Sequence, residues 1–166
     1  MNATEFVAAA LTGGKAWMGG LLADLEERDL VAAPTAKGGN HPLWVIGHLT
    51  VSEASIVSGM IKGDQPNVPD GWGTLFGMGS QPVSDASQYP TKTELLEALE
   101  TVRAQTLELL ARLDDADLDK PSATSPNQEL FGTIGRCLAT LLNHQAFHTG
   151  QIADARRALG RKPAFA

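Results

Sequence analysis

Asn143-His144-Gln145-Ala146-Phe147-His148-Thr149-Gly150-Gln151 sets two histidines four residues apart within a helical, partly apolar segment. Residues three and four apart stack on one face of an α-helix, so His144 and His148 point the same way and Gln151 lies one turn further along. Two imidazoles at that spacing can grip one metal ion. A third histidine, His48, sits in a second apolar segment, Trp44-Val45-Ile46-Gly47-His48-Leu49. A histidine pair on one helix and a single histidine on another supply three nitrogen ligands and leave a position open, the arrangement catalytic zinc uses.

The periodicity around these segments decides the fold. Cys137, Leu141, His144, His148 and Ile152 fall near one face of a helix expected from Thr133 to Leu159, with Arg156 and Arg157 in its last turns and Gly160 just beyond. Thr91-Lys92-Thr93-Glu94 reads as a capping box, followed at helical spacing by Leu95, Leu99, Val102, Thr106, Leu109, Leu110 and Leu113. Pro42 suits the first turn of a helix reaching about Ile61, and Thr4 is the expected N-cap of a first helix reaching about Arg28. Gly13-Gly14 and Gly19-Gly20 weaken that first helix, at about 1 kcal/mol per interior glycine, and close approach of a neighbouring helix would explain them.

Between the helices, residues 63–90 carry five glycines with Pro66, Pro69, Pro82 and Pro90 and show neither a helical nor a strand period. Residues 114–127 read as an acidic, proline-containing loop. The expectation is an all-α, single domain over residues 1–166: a four-helix bundle with no strand. Short links after the first and third helices favour antiparallel neighbours, while the long link can reach the opposite end of the bundle. An extended chain covers about 3.3 Å per residue against about 1.5 Å in a helix. The course is then up-down-down-up, with the long crossover between helices 2 and 3.

Composition narrows the function. The chain has 166 residues, 43% of them hydrophobic, enough for one domain with a real core. Thirteen basic against nineteen acidic residues give a net charge of -6, which disfavours nucleic acid as a partner. The apolar stretch from Leu43 to Val51 falls short of the roughly 20 residues that span a bilayer. No basic n-region precedes an apolar stretch at the N-terminus, so no secretory signal is visible. Cys137, the single cysteine, rules out an internal disulfide framework and fits a reducing cytoplasm.

Other chemistry-bearing residues have plainer readings. His41, before Pro42, reads as an exposed or capping histidine rather than a ligand. Cys137 lies about 16 Å along the helix from His148 and reads as a small buried hydrophobe. Glu53 is turned away from His48 and reads as a surface or helix-pairing carboxylate. Gln145 stands where metalloproteases of the His-Glu-x-x-His type carry their glutamate base, which disfavours proteolysis. A di-iron centre would need carboxylates that the last helix lacks.

His41-Pro42-Leu43-Trp44-Val45-Ile46-Gly47-His48-Leu49 and His144-x3-His148-x-Gly150-Gln151, followed by Arg156-Arg157-Ala158-Leu159-Gly160, resemble the DinB-like superfamily of metal-binding four-helix bundles. The resemblance follows helix order over nearly the whole chain and is weakest in the long loop and the third helix. It implies one divalent metal, zinc or nickel, on His48, His144 and His148. It also implies kinship with bacterial S-transferases and isomerases that use low-molecular-weight thiols. Three neutral ligands would leave the metal's charge uncancelled, so that a bound thiol or water becomes a nucleophile near neutral pH.

Gln151 could bind the cofactor or its ligand, or hold neighbouring helices together, and both readings stand. Arg156 and Arg157 have a sufficient role at the helix C-terminus through the dipole. The expected function is a metal-dependent thiol S-transferase or related nucleophilic enzyme, cytoplasmic and acting on a small molecule, with a second copy of the chain as a candidate partner. The competing class is a nonenzymatic metal-binding or ligand-sequestering stress protein, with neither nucleic acid nor membrane as a partner.

Overall fold

The computed structural model describes residues 1–164 and is helical, with no β-strand among the described residues. Four long helices, α1 (Ala3–Leu22), α3 (Pro42–Ala54), α5 (Lys92–Leu110) and α7 (Ile134–Ala158), carry the core. Between them lie the short helices α2 (Glu27–Leu30), α4 (Trp72–Phe76) and α6 (Gln128–Phe131). The all-α expectation is met.

Local signals fix the helix ends. The expected capping box of α5 is present: Glu94 N donates to Thr91 Oγ1 at 3.2 Å and Thr91 N to Glu94 Oε2 at 2.8 Å. At α1 the cap is Asn2, not Thr4. Glu5 N donates to Asn2 Oδ1 at 2.8 Å and Asn2 N to Glu5 Oε2 at 3.0 Å. The capping box needs a carboxylate three residues on, which Asn2 finds in Glu5, whereas Thr4 would find Val7. The first helix also stops at Leu22 rather than Arg28, and a separate turn forms as Asp29 Oδ2 accepts from Glu26 N at 3.0 Å. Past Ala54, α3 continues as π-helical turns over Ser55–Lys62, ended by Gly63 at φ 77°.

The two connections read as irregular contain structure. Trp72–Phe76 forms α4 behind Gly71 at φ 81°, and 3-10 turns occupy Ala86–Gln88 and Asp115–Asp119. Segments of three to five residues are too short to show a period; of the three, only Trp72–Phe76 enters the core, with Trp72 7% exposed and Phe76 0%.

Two clusters make up the core. One joins Met18, Leu21 and Leu22 of α1 to Leu43–Leu49 of α3, Leu95 and Leu99 of α5 and Ile152 of α7. The other joins Val7 and Leu11 of α1 to Ile56, Val57 and Ile61, Leu110 of α5 and Ile134–Leu141 of α7. In chain order Glu53 and Arg103 fall between the two sets, and both are buried, at 1% and 3% exposure. The guanidinium donates from Nε and Nη2 to the two Glu53 oxygens at 2.8 and 2.7 Å, and from Nη2 to Gln145 Oε1 at 2.5 Å. Nη1 donates to the Leu11 carbonyl, and the Thr106 hydroxyl donates to Glu53 Oε1 at 2.7 Å. One charge pair thus ties α1, α3, α5 and α7 together, and of the two readings of Glu53, a surface or a helix-pairing carboxylate, the structure has the second.

Pro42–Lys62 is long and apolar enough to cross a membrane by length and composition, but 78% of its apolar window is buried inside the protein. Its hydrophobicity is that of a core helix.

Removing one partner of a buried, hydrogen-bonded pair strands the other charge. Arg103→Ala should therefore lower unfolding stability by about 3–5 kcal/mol, while Glu53→Leu/Arg103→Met recovers most of that loss. Urea denaturation would contradict this if Arg103→Ala unfolded at the wild-type midpoint.

Candidate metal centre

The fold brings the three histidines of the sequence motif into one cluster. Helix α3 presents His48 and α7 presents His144 and His148, one candidate ligand atom from each lying within 4.8 Å of the others. His48 and His148 are buried and His144 is half-buried. The ring centroids of His144 and His148 are 4.4 Å apart, and those of His48 and His148 4.6 Å.

Hydrogen bonds outside the cluster set the tautomers. His48 Nδ1 lies 2.6 Å from the Phe76 carbonyl oxygen, which can only accept, so Nδ1–H donates and Nε2 keeps its lone pair. His148 Nδ1 lies 2.8 Å from Gln151 Oε1, an oxygen that also accepts from Asn40 Nδ2 at 3.0 Å. His148 Nε2 is therefore a lone-pair nitrogen as well. This outer hydrogen bond to each ring is the support that metal-bound histidines use.

His144 differs. Its Nε2 approaches His48 Nε2 at 3.1 Å, and its buried Nδ1 has no hydrogen-bond partner among the described residues. Two nitrogens on a tetrahedral ion at about 2.05 Å would be about 3.3 Å apart, close to the spacing seen. No outer hydrogen bond fixes His144 in one tautomer. The donor set fits a divalent cation: the lone pairs of His48 and His148 turn inward, His144 Nε2 stands 3.1 Å from His48 Nε2 and can give up its proton to the free Nδ1, and no hydrogen bond to the three rings comes from an acidic side chain.

Electrostatics agree. Burial lowers the pKa of His48 and of His148. His144 falls to about 4, through burial first and then the charges of His148 and His48. Near neutral pH all three rings are uncharged, the form that ligates metal.

Several residues that build the site carry no motif. Trp44 stacks on His48 with ring centroids 4.4 Å apart and planes 12° from parallel, and its Nε1–H donates to Ser80 Oγ at 3.1 Å. A Cβ at Gly47 would overlap the Phe76 ring, so glycine there lets α4 lie against α3 and put its carbonyl on His48. The segment from Phe76 to Ser80 thus borders the site. An aromatic pair inside a Gly- and Pro-rich stretch was the available signal.

The remaining candidates lie elsewhere. His41 caps α3, its Nδ1 accepting from Trp44 N at 3.1 Å and its Nε2 lying 3.0 Å from the Val83 carbonyl, and it is buried rather than exposed. Cys137 is fully buried in the second core cluster, and burial raises its thiol pKa. Arg156 is also buried: it donates to the Leu21 carbonyl at 2.7 Å and pairs with Asp24, binding the end of α7 to α1. Arg157 makes an exposed pair with Asp154 at 2.8 Å.

A sequence profile described as the DinB superfamily matches residues 15–152. Among solved structures, a conserved protein from Enterococcus faecalis superimposes with a TM-score of 0.76 over 97% of this chain and 99% of its own length. At 16% identity that likeness concerns the fold. No curated protein matches the chain.

The lowered pKa values give the metal-free protein a defined acid response. Unfolded histidines titrate near 6.5, whereas in the fold these three stay neutral to lower pH, His144 to about 4. The unfolded chain therefore binds more protons below about pH 6.5, and their contribution to stability is complete above that value and lost as pH falls toward the folded values. Denaturation midpoints measured without metal should drop between pH 7 and pH 5, and drop less in His144→Gln. A flat profile, or an identical slope in the variant, would contradict the assignment.

Proposed function

We propose, from the premise that the chain belongs to the DinB superfamily, that it is a metal-dependent enzyme. His48, His144 and His148 hold one divalent ion, zinc or nickel, in a cytoplasmic thiol S-transferase or related nucleophilic enzyme. The observation that carries this reading is the convergence of the three rings, two with their lone pairs turned inward by the Phe76 carbonyl and Gln151. When bound, such an ion acts as a Lewis acid that makes a thiol or water more acidic.

The chain's own residues supply the rest. Phe76 and Gln151 keep the protons of His48 and His148 on the outer nitrogens. Trp44 covers one face of His48 and keeps water from it. Three neutral ligands leave the ion's charge uncancelled, which is what lowering a nucleophile's pKa requires. Gln151, already bonded to Asn40 and His148, is a positioning residue in this reading, and a low-molecular-weight thiol would enter beside it. The acidic surface favours a small molecule over nucleic acid as the partner.

The scaffold in this reading is a four-helix bundle with an up-down-down-up course. The early halves of α3 and α5 share one core cluster with the late halves of α1 and α7, which supports that course. A second reading, a nonenzymatic metal-binding or ligand-sequestering protein, is favoured by one observation. The nearest candidate base on α3, Glu53, is committed to Arg103 and Thr106, and none of the hydrogen bonds to the three rings comes from a carboxylate.

Purified protein should carry about one zinc or nickel ion per chain, and His144→Ala should lose most of it. Unchanged stoichiometry in the single alanine variants of all three histidines would sink the site. The cobalt-substituted protein should change its visible absorption when a small thiol is added. A spectrum unmoved across a panel of thiols would decide for the nonenzymatic reading.

A further inference from the structure

Where α1 and α7 pack side by side they leave an open groove of about 680 Å³. Ala10 and Gly13 of α1 and Ala146 and Gly150 of α7 form its small-residue lining, Phe6 and Trp17 also line it, and no lining residue is charged.

Two of these residues have no explanation inside the chain. A Cβ at Gly14 would overlap the Gln145 amide, so helix packing accounts for that glycine. At Gly13 and Gly150 a Cβ would meet nothing within 4 Å, yet each sits inside a long helix, where glycine is about 1 kcal/mol worse than alanine. What their missing side chains leave free is space outside the protomer. An independent sign is Thr149, which lines the same groove at 8% exposure and whose Oγ1 is buried with no hydrogen-bond partner among the described residues.

Beside the hollows stand knobs. Phe6 and Trp17 on α1 are 58% and 66% exposed, and Phe147, next to Ala146 on α7, is 65% exposed. Phe6 and Trp17 are eleven residues apart, about three helical turns, so they lie on one side of α1. A buried aromatic takes about 150–250 Å², so three exposed by about six-tenths offer roughly 270–450 Å² per protomer. That is a third to a half of the ~800 Å² that each partner commits to a standard interface.

We propose that the α1/α7 face is a two-fold interface with a second copy of this chain, the aromatic side chains of each protomer seated over Gly13 and Gly150 of the other. Knobs and hollows on one patch are what an isologous contact requires, since residue i meets j and j meets i. A small-molecule site would instead enclose most of its ligand, whereas this groove opens to solvent and the two aromatics that line it, Phe6 and Trp17, are more than half exposed. The absence of charge in the lining fits a contact between identical chains, which would set like charges together.

Analytical ultracentrifugation of the full chain tests this. Wild type should sediment at twice the 17.5 kDa chain mass, and Trp17→Glu and Gly150→Leu should each weaken the dimer at least about tenfold. Gly150→Leu places its side chain where the protomer is empty and removes a helix-weakening glycine, so its helical circular dichroism should match wild type. If that variant fails to fold, Trp17→Glu at an exposed position still decides. A 17.5 kDa species persisting at about 100 µM would overturn the proposal, as would a dimer unaffected by either substitution. A monomer whose native mass includes a retained small molecule would overturn it in favour of a ligand groove.

Discussion

The buried pair of Arg103 and Glu53 is the constraint on which the rest of this structure depends. An ion pair at 1% and 3% exposure is tolerable only if nearly every donor and acceptor is satisfied, and each satisfying group comes from a different helix. Leu11 offers a carbonyl from α1, Glu53 stands on α3, Thr106 supports it from α5, and Gln145 reaches in from α7. Apolar packing alone would accept small rotations of each helix. The guanidinium fork does not, because its bonds run in fixed directions.

That constraint reaches the histidines through sequence adjacency. Gln145 follows His144, and successive residues on a helix are turned by about 100°. Holding Gln145 against Arg103 and Leu11 therefore sets the rotation of α7 and turns His144 and His148 toward α3. Gly14 belongs to the same device, since any side chain there would strike the Gln145 amide. On the other side, Gly47 admits Phe76, and the Phe76 carbonyl orients His48. Two glycines and one glutamine thus govern the geometry of three imidazoles.

The histidine cluster was legible in the sequence because helical spacing alone places His144 beside His148, and the setting of His48 marks a buried face. The long helices were legible for the same reason, and Thr91 with Glu94 announced the start of α5. The Arg103 network was not, since nothing local distinguishes Arg103 from a solvated helical arginine, nor Gln145 from a surface glutamine. The role of Phe76 was equally hidden. A carbonyl in a Gly- and Pro-rich connection acquires its meaning only when Gly47, 29 residues earlier, lets the chain come close. The N-cap of α1 was misplaced at Thr4, because the carboxylate that completes a capping box, Glu5, lies three residues beyond Asn2.

The central claim is that His48, His144 and His148, and not His41, hold one divalent ion through inward nitrogens. Side-chain ¹⁵N NMR during a zinc titration tests it most directly, because each imidazole nitrogen reports its own proton or metal. The account predicts that one equivalent of zinc moves the Nε2 resonances of His48 and His148 and one nitrogen of His144. The His48 and His148 Nδ1 signals should stay protonated, and His41 should not move. A shift at His41, saturation with fewer than three histidines affected, or zinc appearing on the outer nitrogens of His48 or His148 would contradict it.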